Sequence, residues 1–451
     1  MNEFANRLLA ELVKENDEIN FLIDRGTEMN RMGFAHIQLL DADKKPVKGA
    51  RVRVKQAGHE YLFGCNAFML NQFPEAEQNA QYVETFTTLF NEAVIPFYWS
   101  DFEPEDGNPR FSRDSKPVYR RPNTEECLEF CEKYHVTPKG HPLCWHCFLP
   151  EWLPQNSEAL MERLERRIRE IADYCGNRIR IWDAVNEAQT RMPLFSQGKV
   201  SQHLPDDYVE RVFKIADRYM PSASLLYNDN LRWWSIEGDY SPVILMIRWL
   251  LARGCRVNGL GLQFHMFDHY LQDSERLIDL TGSYRAFLNP KSMYSCLDQY
   301  AKLNIPVNMS EVSIVSRRDL GDGDAFQELV TEKMYRLWFS HPATNSIVWW
   351  NLVDGTAAYA PPGSEEGENS LRAGLVNYNF SPKSAYKTLD RLINHEWRTN
   401  TTFEYEAGKN NMFHGFYGDY DLEIKTDCGI FFKKLKFSKN SGKNYQILLD
   451  K

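Results

Sequence analysis

No stretch of the 451-residue chain approaches 18 consecutive apolar residues, so the sequence offers no candidate for a membrane-crossing helix. Basic residues are in the minority, 53 Lys and Arg against 62 Asp and Glu, and nowhere gather into a run that could track a phosphate backbone. A nucleic-acid partner is therefore not expected, and neither is a membrane. The opening MNEFANRLLAELVKEND carries acids where an export signal has a basic start and an apolar run. The chain as it stands is expected in the cytoplasm, and outside the cell only if a leader has been removed. Cysteine is scarce and odd in number, nine residues from Cys65 to Cys428 without the spacing of a disulfide framework, which suits reduced thiols. Cys144 and Cys147, in CWHC, have metal- or redox-like spacing. The run GHPLCWHC reads as a strand end, where residues three apart point to opposite faces, so both are expected to be small buried hydrophobes.

What is present is a core. With 43% hydrophobic residues the chain can bury a large interior, and its length predicts one big domain with an accessory piece. From about residue 60 to 397 one theme recurs, a short apolar run followed by a helical pattern. Eight runs occur: YLFGCNAF (61–68), EAVIP (92–96), TPKGHPLCW (137–145), RIRIWDAVNE (178–187), SLLYND (224–229), VNGLGLQFH (257–265), IPVNMSE (305–311) and SIVWWNL (346–352). Between them lie amphipathic segments such as 157–175 and 324–339, apolar near i, i+3, i+4 and i+7. Eight strands alternating with helices predict an α/β fold, a closed parallel (β/α)8 TIM barrel, with a doubly wound open sheet as the alternative.

The chain ends read differently. Residues 1–32 are expected to form one helix. The segments 33–64 and 398–451 alternate apolar and polar residues around turn-like stretches, the pattern of antiparallel strands. Neither segment alone supplies the roughly three strands a stable sheet needs. They are expected to pair into one β-sandwich-like accessory domain, leaving 65–397 as the catalytic barrel.

Barrel chemistry gathers at the C-terminal ends of the strands, which directs attention to the polar residues there. The fourth run ends in Asn186 and Glu187 and the seventh in Glu311, and strands three apart around a ring can face each other across its mouth. Paired carboxylates are what cleavage of a glycosidic bond requires, one protonated to assist the leaving oxygen and one ionised to attack or to activate water. The sixth run places Gln263 and His265 on one face, beside the strand of Glu311. His141 and Trp145 are expected on one face of the third strand, and Trp350 ends the eighth, where a rim aromatic makes a flat floor for a sugar ring.

The segments GHPLCWHCFLPEWL, IWDAVNEA, LYNDN, GLGLQFH, NMSEV and WWNLVDG, in this order, resemble glycoside hydrolase family 10, the xylanase family. The resemblance spans about residues 60–397. It implies a (β/α)8 barrel that hydrolyses β-1,4-xylosidic bonds with retention of configuration, needs no cofactor or metal, and acts on a xylan-type oligosaccharide or polysaccharide. It implies that Glu187 is the acid/base and Glu311 the nucleophile. Asn186 would donate to the sugar 2-hydroxyl, His265 would bond Glu311, and Gln263 would lie close to the pair. His141 and Trp145 would line the glycone pocket, with a cis peptide after His141, and Trp350 would wall the cleaved residue.

The chain departs from the family pattern on the glycone side. Polar positions of the second strand fall on Val94, Ile95 and Tyr98, a glutamine of the third-strand motif is Phe148, and a second tryptophan after the eighth strand is missing, with Tyr359 the available substitute. Altered glycone recognition is thus expected, with Tyr98, Phe148 and Tyr359 as candidate contacts. Another or decorated oligosaccharide, or an aryl glycoside, is the alternative substrate. A non-catalytic sugar-binding protein on the same scaffold predicts loss of a carboxylate, whereas both are present. A metal hydrolase built on His141, His146 and His265 lacks a ligand grouping at one strand end.

Overall fold

The computed structural model describes residues 1–190, 200–230, 233, 240–267 and 288–450. The chain divides into two compact units, one of Met1–Glu15, Phe63–Trp338 and Ala343–Thr388, the other of Asn16–Leu62, Phe339–Pro342 and Leu389–Lys451. The single N-terminal helix expected over 1–32 is two, Glu3–Val13 and Asp17–Arg31. Lys14 and Asn16 are extended, and the Asn16 side chain accepts from the Ile19 N–H. An asparagine cap followed by Asp17 and Glu18 is a helix start, and it breaks the amphipathic run in two. Strands β1 (Met32–Leu40) and β2 (Gly49–His59) follow.

The first unit is the barrel. Its strands are β3 (Leu62–Asn66), β4 (Glu92–Pro96), β5 (Thr137–His141) with the two-residue β6 (Cys144–Trp145), β7 (Ile181–Asn186), β8 (Ser224–Asp229), β9 (Gly259–His265), β10 (Val307–Ser313) and β11 (Thr344–Trp349). β3 lies between β4 and β11, and β5 pairs in parallel with β7, so the sheet closes on itself as an eight-stranded barrel rather than remaining open. Closure is tight at Gly140, where an added Cβ would stand 2.2 Å from the Trp182 ring. The third strand is recorded in two pieces, with a cis His141–Pro142 peptide between them and Trp145 in the second, two-residue piece. Helices alternate with the strands. In Ser157–Cys175 the Asn156 side chain caps the first turn, and Leu160, Met161, Leu164, Ile168 and Ile171 form the buried stripe.

β4, β9 and β10 are buried along their whole length, polar residues included. A strand covered on both faces must satisfy its polar groups internally, and that condition shapes the site described below.

In the second unit β1 pairs antiparallel with β13 (Met412–Phe416) and in parallel with β16 (Asn444–Leu448). β2 lies between β12 (Asn400–Glu406) and β14 (Gly418–Thr426), with β15 (Gly429–Phe437) outside β14. Ala35, Ile37 and Leu39 of the three-stranded sheet share one core with Val52, Val54, Tyr420, Leu422 and Ile424 of the four-stranded one. The last residues of the expected 33–64 segment differ, because β3 joins the barrel sheet: its Gly64 pairs with Glu92. Removing residues 398–451 takes away every strand that pairs with β1 or β2. The truncated protein is expected to aggregate, as unpaired apolar edges do, when followed by light scattering. A soluble, fully active truncation would exclude an accessory domain built from both chain ends.

Candidate active site

The C-terminal ends of β7, β8, β9 and β10 carry one hydrogen-bonded group. Glu187 follows β7 in the left-handed region, φ 53°, with its N–H donating to the Asn228 carbonyl at 2.8 Å. Asn228, fully buried on β8, is the hinge of the group: its Nδ2 donates to Asn186 Oδ1 at 2.8 Å and to Glu311 Oε1 at 2.7 Å, while its Oδ1 accepts from Ser310. Its place depends on Gly261 of β9, where a Cβ would lie 2.0 Å from Asn228 Oδ1. Gln263 Nε2 donates to Glu187 Oε1 at 3.0 Å and to Asn186 Oδ1 at 3.3 Å. Asn186 thus accepts twice through its oxygen, which fixes the amide and leaves its buried Nδ2 with no hydrogen-bond partner.

Glu311 is 4% exposed and held from both sides. Its Oε2 lies 3.2 Å from His265 Nε2, and its Oε1 lies 3.8 Å from His141 Nε2. A carboxylate oxygen accepts, so His265 presents an Nε2–H to Glu311, and its Nδ1 lies 2.8 Å from the Ser313 hydroxyl. His141 Nδ1 lies 2.8 Å from Asp183 Oδ2, and Lys139 Nζ lies 3.1 Å from the other oxygen of that carboxylate. Burial pushes Asp183 up, but Lys139 and His141 outweigh it and hold the group below its ordinary value, an anion that fixes the His141 tautomer.

The two glutamates therefore occupy different surroundings. Glu187 is raised to about 8, first by burial and then by the charge of Glu311. The Cys147 thiol is pushed up to about 12 by burial and by Glu187, which places it on the same rim. A carboxylic acid that keeps its proton near neutrality stands beside a carboxylate supplied with donors, the pairing acid-assisted displacement at a glycosidic carbon requires.

The raised value has a consequence for stability. The folded protein retains a proton at Glu187 that the unfolded chain loses near pH 4.5, so stability is full below that value, declines as pH rises and levels off beyond about 8. Glu187→Gln removes the titration. Its thermal midpoint is expected to exceed that of the parent by several degrees at pH 8. At pH 4.5 the two should be equal by calorimetry. A pH-independent difference would contradict the raised value.

Beside the carboxylates stands an aromatic wall. Phe68, Val94, Tyr98 and Val348 form a buried cluster against which Trp145, Phe148 and Trp350 pack half-buried. Ring centroids lie 4.7 Å apart for Tyr98 and Phe148, 5.6 Å for Tyr98 and Trp145, and 5.5 Å for Tyr98 and His141. Trp350 meets His141 at 5.7 Å and His265 at 6.0 Å, edge to face, so it touches both histidines that face Glu311. Ile95 is fully buried next to Val94. Tyr359 is 86% exposed and stacks on no ring among the described residues, with its backbone in the left-handed region, φ 58°. Its hydroxyl nevertheless feels Arg121, Asp101 and Cys147, groups beside the aromatic wall. His146 turns to Cys147 Sγ at 3.3 Å, and Cys144 is buried while Cys147 is half-buried.

Sequence reasoning assigned no role to Asn228, Asp183, Ser313 or Phe68. Asn228 was within reach, since it sits in LYNDN one residue before the end of a barrel strand. Ser313 carried no signal, being a small polar residue in a strand with no charge or ring to mark it.

The glycosyl hydrolase family 10 model matches residues 61–391. Endo-1,4-beta-xylanase B of Thermotoga neapolitana is 26% identical over 331 residues, 71% of this chain and 84% of its own length. Endo-1,4-beta-xylanase 2 of Arabidopsis thaliana is 24% identical over 393 residues, 85% of this chain but only 31% of that protein. Among solved structures, native xylanase 10B from Thermotoga maritima superposes with a TM-score of 0.59 at 25% identity, covering 75% of this chain and 96% of its own. The match runs the length of the barrel and includes both glutamates of the site, and on that basis the chain belongs to glycosyl hydrolase family 10.

Proposed function

We propose that the protein hydrolyses β-1,4-xylosidic bonds of xylan or xylo-oligosaccharides by double displacement with retention, Glu187 acting as acid/base and Glu311 as nucleophile. The observation that carries this reading is the contrast between the two carboxyls: Glu311 is bonded by Asn228 and His265, while Glu187 is raised to about 8. In the first step Glu311 attacks the anomeric carbon as Glu187 gives its proton to the leaving oxygen. Asn186 Nδ2, which has no protein partner, bonds the 2-hydroxyl of the cleaved residue. Once Glu311 is esterified its charge is gone and the second cause of the high Glu187 value disappears. Glu187 then accepts a proton from water, which releases the sugar from Glu311.

The glycone side supports a narrower preference. Val94, Ile95, Tyr98 and Phe148 are packed hydrophobes, and a buried sugar hydroxyl left without a partner costs about 1–3 kcal/mol. Two or three such losses weaken a neutral second glycone sugar by several powers of ten. Aryl β-xylosides and single glycone residues are thus expected to be handled well and linear xylan poorly. A screen of aryl β-xyloside, β-glucoside and β-arabinoside alongside defined xylo-oligosaccharides tests the reading. Rapid digestion of xylan mainly to xylobiose and xylotriose would defeat the altered glycone preference, and inverted products would defeat the mechanism.

A further inference from the structure

Behind Tyr98 lies a concentration of positive charge that the reaction does not use. Arg110, Arg120 and Arg121 are 6%, 3% and 8% exposed, and buried guanidinium groups are ordinarily paired with acids. Here one carboxylate serves three. Asp101 Oδ2 accepts from Arg121 Nε at 2.8 Å, whereas Arg110 donates to backbone carbonyls of Asp101, Lys116 and Arg121. Arg120 donates to Asn351 Oδ1 and the Thr356 carbonyl, and its buried Nε has no hydrogen-bond partner. Glu368 contributes only a weak attraction from an exposed position. Burial and the adjacent Arg121 lower Arg120 to about 10.

The excess charge faces the glycone wall. The Arg121 guanidinium lies 3.9 Å from the centre of the Tyr98 ring, 5.3 Å from Phe68 and 6.0 Å from Phe148. Nε is engaged by Asp101 and Nη1 by the Arg120 carbonyl, and Nη2 makes no hydrogen bond among the described residues. The Tyr98 ring that carries this guanidinium also meets His141 at 5.5 Å, and its hydroxyl feels both Arg121 and Arg120 and the carboxyls of Glu311 and Glu187. A wall that offers rings to a sugar and a cation just past them suits a ligand with a neutral ring and an acidic substituent.

We infer that the glycone side takes an acidic oligosaccharide, in which a uronic-acid carboxylate carried on the sugar chain reaches past Tyr98 and pairs with Arg121. The inference rests on the hydrolase reading above and names its substrate class. It also fits the loss of polar contacts at Val94, Ile95 and Tyr98, since affinity then comes from one ion pair in a shielded site in place of several hydroxyl bonds. Arg110 holds the Arg121 carbonyl, the Arg120 carbonyl accepts from Arg121 Nη1, and Asp101 orients the guanidinium.

The test compares kcat/KM for xylo-oligosaccharides of equal length with and without a uronosyl substituent. The acidic substrate is expected to be favoured at least tenfold, with the advantage shrinking as salt is added. Methyl-esterification of the substrate carboxyl, which leaves the protein untouched, should remove the advantage. In Arg121→Gln the acidic-to-neutral ratio should fall at least tenfold, and Arg121→Lys should retain part of it. Release of the phenol from an aryl β-xyloside, with retained configuration, is measured in parallel. Its absence would mean that the hydrolase reading has failed. Its presence with a ratio indifferent to esterification would overturn the acidic site and leave Arg121 a brace for Tyr98.

Discussion

Replacement of Glu311 by Gln is expected to abolish turnover on every substrate, aryl glycosides with activated leaving groups included. The amide cannot form the glycosyl ester, so no intermediate accumulates and no leaving-group chemistry compensates. The loss should reach at least about 10⁴-fold, the size seen when a covalent nucleophile is removed. Folding should survive, because the amide oxygen can still accept from Asn228 while the amide NH2 donates to His265 Nε2 once the imidazole proton sits on Nδ1. A stopped assay with a dinitrophenyl β-xyloside, together with mass spectrometry of protein trapped by a 2-fluoro glycoside, reads the result. Normal trapping of the Gln variant would mean that another residue attacks.

Replacement of Glu187 by Ala is expected to divide the two half-reactions. Glycosylation by activated phenols needs no proton donor and should continue, while poor leaving groups lose about 10²–10⁴-fold, the usual worth of a positioned acid. Hydrolysis of the intermediate slows without a base, so a burst of phenol precedes a slow steady state. Azide, which needs no base, should restore turnover and yield a β-glycosyl azide. The parent's kcat/KM should fall as pH rises through about 8, where the acid loses its proton, and this limb should vanish in the variant for activated substrates. An α-azide from the Ala variant would exchange the roles assigned here.

The barrel was legible because parallel strands buried on both faces read as short apolar runs, and runs such as 92–96 and 224–229 coincide with β4 and β8. Glu187 and Glu311 stood out because charge at the end of such a run is rare. The pairing of the chain ends was legible in period-two alternation, whereas the break at Asn16 was missed because a cap of one residue weighs little against an amphipathic pattern on both sides of it. The third strand was read as one run, whereas its hydrogen-bonded ladder is broken at Pro142, which has no N–H to give, and Leu143 resumes contact with Asp183 of β7. Arg121 lay beyond such reasoning. It sits in a loop ahead of the Thr124–Tyr134 helix, and its importance comes from a tyrosine ring 3.9 Å away that no local pattern reveals.

The pairing of β1 and β2 also sets an order of events during synthesis. Neither strand has a neighbour made before residue 400, so while the ribosome completes some 340 further residues both emerge with nothing to bond. The barrel strands, finished by Trp349, can assemble in that interval. The four-stranded sheet can close once β15 is made, but the three-stranded sheet must wait for the last strand, β16, which among the described residues pairs with β1 alone. Until then the nascent chain carries apolar β-edges in water, a period in which a holding chaperone or rapid translation of the final hundred codons would decide the yield of intact protein.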